Sequence, residues 1–131
     1  MVLERLRDER NLWLATTRAD GRPHLAPVWF TYVDDRLWIG TGAGSVRVRN
    51  LRQRPTASAS LEGGDEPVVA EATAVIHDRV RPPAVVAAFR EKYGWDILVE
   101  TDDDIGAVVL LELRPHRWLF GVDLPIVAPG D

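Results

Sequence analysis

The 131-residue chain has no cysteine, which removes disulfides, thiolate metal sites, iron–sulfur clusters and a cysteine nucleophile together. It has no apolar run near the ~20 residues a membrane-spanning helix needs. Met1 to Arg10 alternates charge with leucine and lacks the apolar core of a signal peptide. The expectation is a cytoplasmic protein without a membrane partner. The three histidines, His24, His77 and His116, are scattered, and no pair sits at metal-ligand spacing. Surface or strand-end hydrogen bonding suits each better than catalysis, and no metal site is expected. A nucleophile elbow is also missing, because Gly42-Ala43-Gly44-Ser45-Val46 would need its second flanking glycine at Arg47. Asp102-Asp103-Asp104 lacks the ligand spacing and central glycine of a calcium loop and reads as a solvated acidic turn.

What is present is an ordinary globular composition, 46% hydrophobic and 27% charged, so a folded chain is expected rather than disorder. The length suits one domain over 1–131, with a core at about 10–121 and a tail at 122–131. The net charge of -4 and a pI near 5.4 argue against a nucleic-acid-binding surface. The charge is unevenly placed. Arg36 to Leu61 holds five of the sixteen basic residues, at 36, 47, 49, 52 and 54, and none of the twenty acidic ones. Such an island is either a solvated arginine face or a local anion site.

Turn and cap residues punctuate the chain into a mainly β pattern. A short helix over 2–9 carries Val2, Leu3 and Leu6 on one side. Strands are predicted over 11–17, 23–33 and 36–41, joined by Asp20-Gly21 and Asp34-Asp35 turns. Ser45 caps a helix over 46–53 that Pro55 stops, and strands follow at 56–61 and 67–78. A helix starts at Pro82-Pro83 and ends at Gly94, with Val85, Phe89 and Tyr93 on one face. Strands at 105–113 and 117–121 close the pattern. Six or seven antiparallel strands, two of them long, with short helices predict a small barrel. The apolar strand from Ile105 to Leu111 needs cover on both faces, and a second subunit is the expected cover outside.

Gly40-Thr41-Gly42-Ala43-Gly44-Ser45 follows a strand and precedes a helix. It is not a dinucleotide fingerprint, since the third glycine is replaced by Ser45, and no lysine follows as in a nucleotide-triphosphate loop. One reading is a flexible connection. The other is an anion site, in which glycines admit a ligand to the backbone while Ser45 and the first free N–H groups of the helix supply donors. Arg47 and Arg49 then add guanidiniums, and Thr41, Ser45, Arg47, Arg49 and Asn50 enclose one phosphate-sized anion.

Several blocks together resemble one family. They are Leu12-Trp13-Leu14-Ala15-Thr16-Thr17, Asp20-Gly21-Arg22-Pro23-His24, Pro27-Val28-Trp29-Phe30 and Gly44-Ser45-Val46-Arg47-Val48-Arg49-Asn50-Leu51-Arg52. Phe89-Arg90-Glu91-Lys92-Tyr93-Gly94-Trp95-Asp96 is similar to a late helix of the same group. Over about 10–120 the chain resembles the split β-barrel flavin- and deazaflavin-binding proteins like pyridoxamine 5'-phosphate oxidase, in the branch that uses coenzyme F420. The resemblance implies an antiparallel split β-barrel and a homodimer with a cofactor at each interface. It implies an oxidoreductase moving a hydride between coenzyme F420 and a small organic acceptor. FMN is the alternative cofactor, and a non-catalytic flavin, F420 or haem carrier the alternative role. By the same resemblance Ser45, Arg47, Val48, Arg49 and Asn50 belong to the phosphate block, with Arg47 where lysine is common. Pro27, Val28, Trp29 and Phe30 run along the tricyclic ring. Trp29 is equally a core residue, and Trp13, Trp38 and Trp118 read as core or dimer packing. Arg52 and Arg54 are candidates for the acidic tail of the deazaflavin.

Overall fold

The computed structural model describes residues 1–128, so the end of the expected tail, 129–131, lies outside the described residues. In chain order the elements are α1 (Val2–Asp8), β1 (Leu12–Thr17), β2 (Pro23–Val28), β3 (Phe30–Val33), β4 (Arg36–Gly42), α2 (Val46–Gln53), β5 (Thr56–Leu61), β6 (Val69–His77), α3 (Pro83–Tyr93), β7 (Thr101–Asp102) and β8 (Gly106–Trp118). The local chemistry explains the tight joints. Asp34 and Asp35 both take positive φ, 56° and 62°, in the β3–β4 hairpin. The Ser45 hydroxyl accepts from Val48 N to cap α2. Pro83 opens α3, and Gly94 in the left-handed region at φ 65° closes it.

All strand pairs are antiparallel, in the order β2-β1-β5-β6-β8-β4-β3, with β7 on β8. The two ends of that order, β2 and β3, are consecutive in the chain with Trp29 alone between them. The sheet is therefore curled on itself. The sequence predicts one strand over 23–33, whereas the structure divides it at Trp29. Its first part pairs with β1 and its second with β4, and a run that hands over between opposite ends of a rolled sheet breaks its ladder. This is a split β-barrel with three short helices.

Other boundaries differ as well. The strands predicted at 105–113 and 117–121 are one strand, β8, because β6 pairs along both parts. A register shift opposite Glu71 and Ala72 absorbs the irregularity at Pro115–Arg117. The acidic turn contributes β7, whose Asp102 Oδ1 accepts from the N–H groups of Asp104 and Ile105. In α1, Leu6 is buried and Val2 packs on the core, but Leu3 is exposed. Part of the expected tail is docked, with Val127 N donating to Pro115 O and Trp118 Nε1 to Pro125 O.

Two apolar clusters lie on the two faces of the sheet. Inside, Leu12, Leu14, Phe30, Leu37, Ile39, Val48, Leu111 and Leu113 fill the barrel with small alanines from β5 and β6. Outside, Val85, Val86 and Phe89 of α3 join Ile97, Trp38 and Leu110. The outer cover of β8 at Leu110 is thus α3 of the same chain and not a second subunit, which corrects the sequence-based expectation. Fully burying a side chain such as Phe89 contributes about 2–3 kcal/mol. Beside this layer the buried carboxylate of Glu112 accepts from Arg36 and Arg114 and bonds His77 at the end of β6. Burial alone raises its pKa, and the hydrogen bonds from Arg114, His77 and Arg36 overcome that and hold it below the usual carboxylate range.

No helix among the described residues is long and apolar enough to cross a membrane. No group of three or more metal-ligating side chains gathers among them either.

Candidate functional site

The strand switch creates a cavity. At an edge strand alternate backbone groups face away from the ladder and need partners. The end of α3 supplies them at Phe30. Its N–H donates to the Tyr93 hydroxyl at 3.0 Å, and its carbonyl accepts from Lys92 Nζ at 3.1 Å. Lys92 also donates to Leu6 O and stands 3.7 Å from the centroid of the Phe30 ring. Burial pushes its ammonium down to a pKa of about 8. Having reached the switch, the chain turns at Gly94 and lays Trp95 back over β4.

Trp95 fits because residue 40 is glycine. A Cβ there would lie 2.6 Å from two outer carbons of the Trp95 ring. Gly42 likewise leaves room for the Ile105 carbonyl. Between these parts lies a cavity of about 530 Å³, lined by Pro27, Val28 and Trp29, by Gly40, Thr41 and Arg47, and by Tyr93, Gly94, Trp95, Asp102, Asp104 and Ile105. One wall is aromatic. Trp29 stacks on Tyr93 with centroids 4.4 Å apart and planes 10° from parallel. Trp95 meets Trp29 edge-on at 6.0 Å and Phe89 at 5.6 Å. Arg10 lies over the Trp29 and Tyr93 rings at 5.2 and 5.0 Å.

The polar wall is built on Arg47, whose Nη1 donates to Thr41 Oγ1 at 2.7 Å. Burial lowers the Arg47 pKa, although a guanidinium keeps its charge in a protein. Its Nε is buried with no partner in the chain, and so is Nε1 of Trp95, another residue of the lining. Burial, and then the charges of Arg18 and Arg47, lower the pKa of nearby His24. The cavity thus has a cation at the β4–α2 side and the carboxylates of Asp102 and Asp104 at the other, so an anionic group belongs at the Arg47 end.

Of the residues read from the sequence, the cavity brings together Pro27, Val28, Trp29, Thr41 and Arg47. It does not gather the rest. Phe30 and Val48 are interior side chains of the barrel, fully buried. Ser45 caps α2. Asn50 is buried and donates to Thr16 Oγ1 at 3.0 Å. Arg49 is exposed on α2. The two arginines read as partners of an acidic tail have partners in the chain, Arg52 on Asp78 and Arg54 on the carbonyls of Arg18 and Ala19. Of the other tryptophans, Trp38 is buried, Trp118 half-buried and Trp13 exposed at 40% opposite Pro27. Gly40, Tyr93, Trp95 and Ile105 were not placed at a site by sequence reasoning. The available signal was Gly94, which stops α3 and turns the chain toward the sheet.

Fold and cavity together define a split-barrel protein with a cation-and-aromatic pocket at its strand switch. Residues 2–120 match the pyridoxamine 5'-phosphate oxidase family, and the chain belongs to it. Similar solved structures include a conserved hypothetical protein of Mycobacterium tuberculosis, 27% identical, covering 89% of this chain and 79% of that one with a TM-score of 0.69. An F420 reductase is 22% identical, covering 88% and 93%, with a TM-score of 0.68. The haem storage protein of Vibrio cholerae is 21% identical, covering 95% and 91%, with a TM-score of 0.69. The latter two likenesses concern the fold. No curated protein matches the sequence.

Proposed function

We propose that the chain is a cytoplasmic, single-domain oxidoreductase that uses coenzyme F420 as a homodimer. One observation carries this reading: a half-buried arginine, fixed by Thr41, faces an aromatic-walled cavity beside the strand switch. The donor chemistry fits the group. The Arg47 guanidinium beside Thr41 suits an anionic group, and the stacked Trp29–Tyr93 wall suits a flat ring. The structural likeness to an F420 reductase adds support.

Bound there, a reduced deazaflavin supplies a hydride to an electron-poor carbon of a small organic acceptor. The residues of the chain do the rest. Arg47 and Thr41 hold the anionic end of the cofactor. Pro27, Val28 and Trp29 flank its plane, and the Trp29–Tyr93–Trp95 wall excludes water. Arg49 is exposed on α2, so in this reading it reaches a cofactor at the interface with a second copy. The Tyr93 hydroxyl is tied to Phe30 and donates among the carbonyls of Arg10 and Phe30, so it is not assigned as a proton donor.

Titration with coenzyme F420 and with FMN, followed by the fluorescence of each, tests the proposal. The wild type binds F420 more tightly than FMN, and Arg47→Ala weakens F420 binding by about 1.5–3 kcal/mol, the scale of a charge-assisted hydrogen bond. Reoxidation of reduced F420 by an enone or quinone panel reports activity. Tight binding with no turnover makes the protein a carrier, tighter FMN binding changes the cofactor, and unaltered affinity in Arg47→Ala refutes the site.

A further inference from the structure

We infer that Arg18 and His24 belong with Arg47 to one binding cluster for a tetrahedral oxyanion of the phosphoryl kind, and that His24 takes up a proton when the anion binds. The inference deepens the reading of Arg47 as the holder of the cofactor's anionic end, and it rests on that reading for the source of the anion. What it adds is the β1–β2 hairpin.

Strand register and two contacts of α2 bring the three side chains to one end of the barrel. His24 is the cross-strand partner of Thr16. Arg18 follows Thr16 by two residues, which in an extended chain puts both side chains on one side, and its N–H still donates to Arg22 O across the hairpin. Thr16 is also where α2 docks, because Asn50 Nδ2 donates to its Oγ1 at 3.0 Å. One turn before Asn50 on that side of α2 stands Arg47. One turn after it stands Arg54, whose guanidinium donates to the carbonyls of Arg18 and Ala19, each at 3.3 Å. The helix therefore lies along the hairpin with Arg47 toward His24. The electrostatics agree, for after burial the charges that lower the His24 pKa are those of Arg18 and Arg47.

Cations gathered in one place repel, and the chain around them does not neutralise them. β1, β2 and α2 contain no acidic residue. The one carboxylate of the hairpin, Asp20, is taken by the backbone N–H and the guanidinium of Arg22. Thr41 and Asn50 are neutral, and Arg49 and Arg54 only add positive charge. The half-buried Arg18 guanidinium makes no hydrogen bond or ion pair among the described residues. An anion supplies what such a cluster lacks. A tetrahedral oxyanion suits it, because it offers acceptors in several directions to guanidiniums from two elements. Without an anion the two arginines oppose protonation of the imidazole. An anion among them reverses that field, so protonation and binding assist one another.

Sulfate is the probe, because it does not titrate where histidine does, and chloride at equal ionic strength is the control. The histidine ring protons are followed by NMR through that range. The chain has three histidines, so His24→Gln assigns the resonance. Sulfate is expected to raise the titration midpoint of His24 and to leave that of His77, which is bonded to Glu112, unchanged. Sulfate affinity should rise about 3- to 10-fold as pH falls through the range, since the complex holds the extra proton, and His24→Gln should flatten that rise. Arg18→Gln, its fold checked by thermal melting, should raise the His24 midpoint without sulfate, because a repelling cation is gone. It should also weaken sulfate binding about 5- to 20-fold. A His24 midpoint that ignores sulfate overturns the inference, and that result needs no variant. A midpoint that ignores Arg18→Gln overturns it too. Titration of the same proteins with coenzyme F420 and FMN identifies the source of the anion. A loss of about 5- to 20-fold in Arg18→Gln puts the phosphoryl group of the cofactor in the cluster. If sulfate behaves as expected while cofactor affinity is unchanged or absent, the cluster takes a free oxyanion, and it is the placement of the cofactor at Arg47 that fails.

Discussion

Gly40→Ala is the change that most directly probes how the cavity is built. Gly40 has no positive φ, so its backbone accepts any residue, and the constraint on it is spatial. The added methyl would stand 2.6 Å from two Trp95 carbons, about 1 Å closer than carbon atoms pack. β4 cannot retreat, since it is paired on both sides, with β3 and with β8. The ring must give instead, and it is backed by Phe89 and Trp29. Overpacking of this kind costs about 1–3 kcal/mol. In a Trp95→Ala background the obstacle is gone, and replacing a strand glycine by alanine then gains about 0.4–1 kcal/mol. The four proteins of this double-mutant cycle should therefore show a coupling of about 2–3 kcal/mol, read from urea denaturation without cofactor. Additivity within about 0.5 kcal/mol would refute the claim that Gly40 is a seat for Trp95.

Lys92 gives a pH signature. Its pKa in the fold is about 8 against about 10.4 in an unfolded chain, so between these values the unfolded state binds more protons and stability rises with pH. Relative to Lys92→Met, the wild type should gain about 2 kcal/mol from pH 7 to 9.5 in urea denaturation, and a flat difference would show that the ammonium is not displaced. Above pH 10 the raised pKa values of Tyr32 and Tyr93 act in the opposite direction, so the measurement stops short of that range. Asn50→Ala should cost about 1–3 kcal/mol in a thermal melt with no cofactor present, because it leaves the buried Thr16 hydroxyl without its donor. An unchanged melt would mean that the Asn50–Thr16 bond is not structural.

Most of the frame was legible wherever a residue with a special backbone marks a boundary. Ser45 and Pro55 bracket α2 at its observed limits, and Pro83 and Gly94 bracket α3. The strand switch was not legible, because nothing local says that residues 23–28 and 30–33 pair with opposite ends of the sheet. Pro115 hid the continuity of β8, since a proline is a reason to end a strand and here the bulge removes the need for its N–H. At the site, the cationic loop could be read, but its reach could not. Arg47 and Arg49 are two residues apart on one helix, and such pairs do not face the same way. One turns into the cavity and the other to solvent. Asn50 is claimed by Thr16 on β1, a partner 34 positions away that no spacing rule reveals.

The segment from Phe89 to Trp95 joins the closing of the barrel to the making of the cavity. Phe89 lies in the outer core, Lys92 and Tyr93 serve the exposed backbone of Phe30, and Trp95 covers β4. A barrel left open at β3 would present an unpaired edge, so these contacts are needed for folding whether or not a ligand is ever bound. The cavity is then a consequence of the closure. The chain must turn at Gly94 to bring α3 to the switch, and the space left between that turn, Trp29 and Arg47 is the site. Substitutions within 92–95 consequently change stability and the pocket together, whereas Arg47, which bonds Thr41 and none of the closure residues, can be altered with the closure intact. Arg47 therefore separates ligand binding from folding more cleanly than any aromatic residue of the wall.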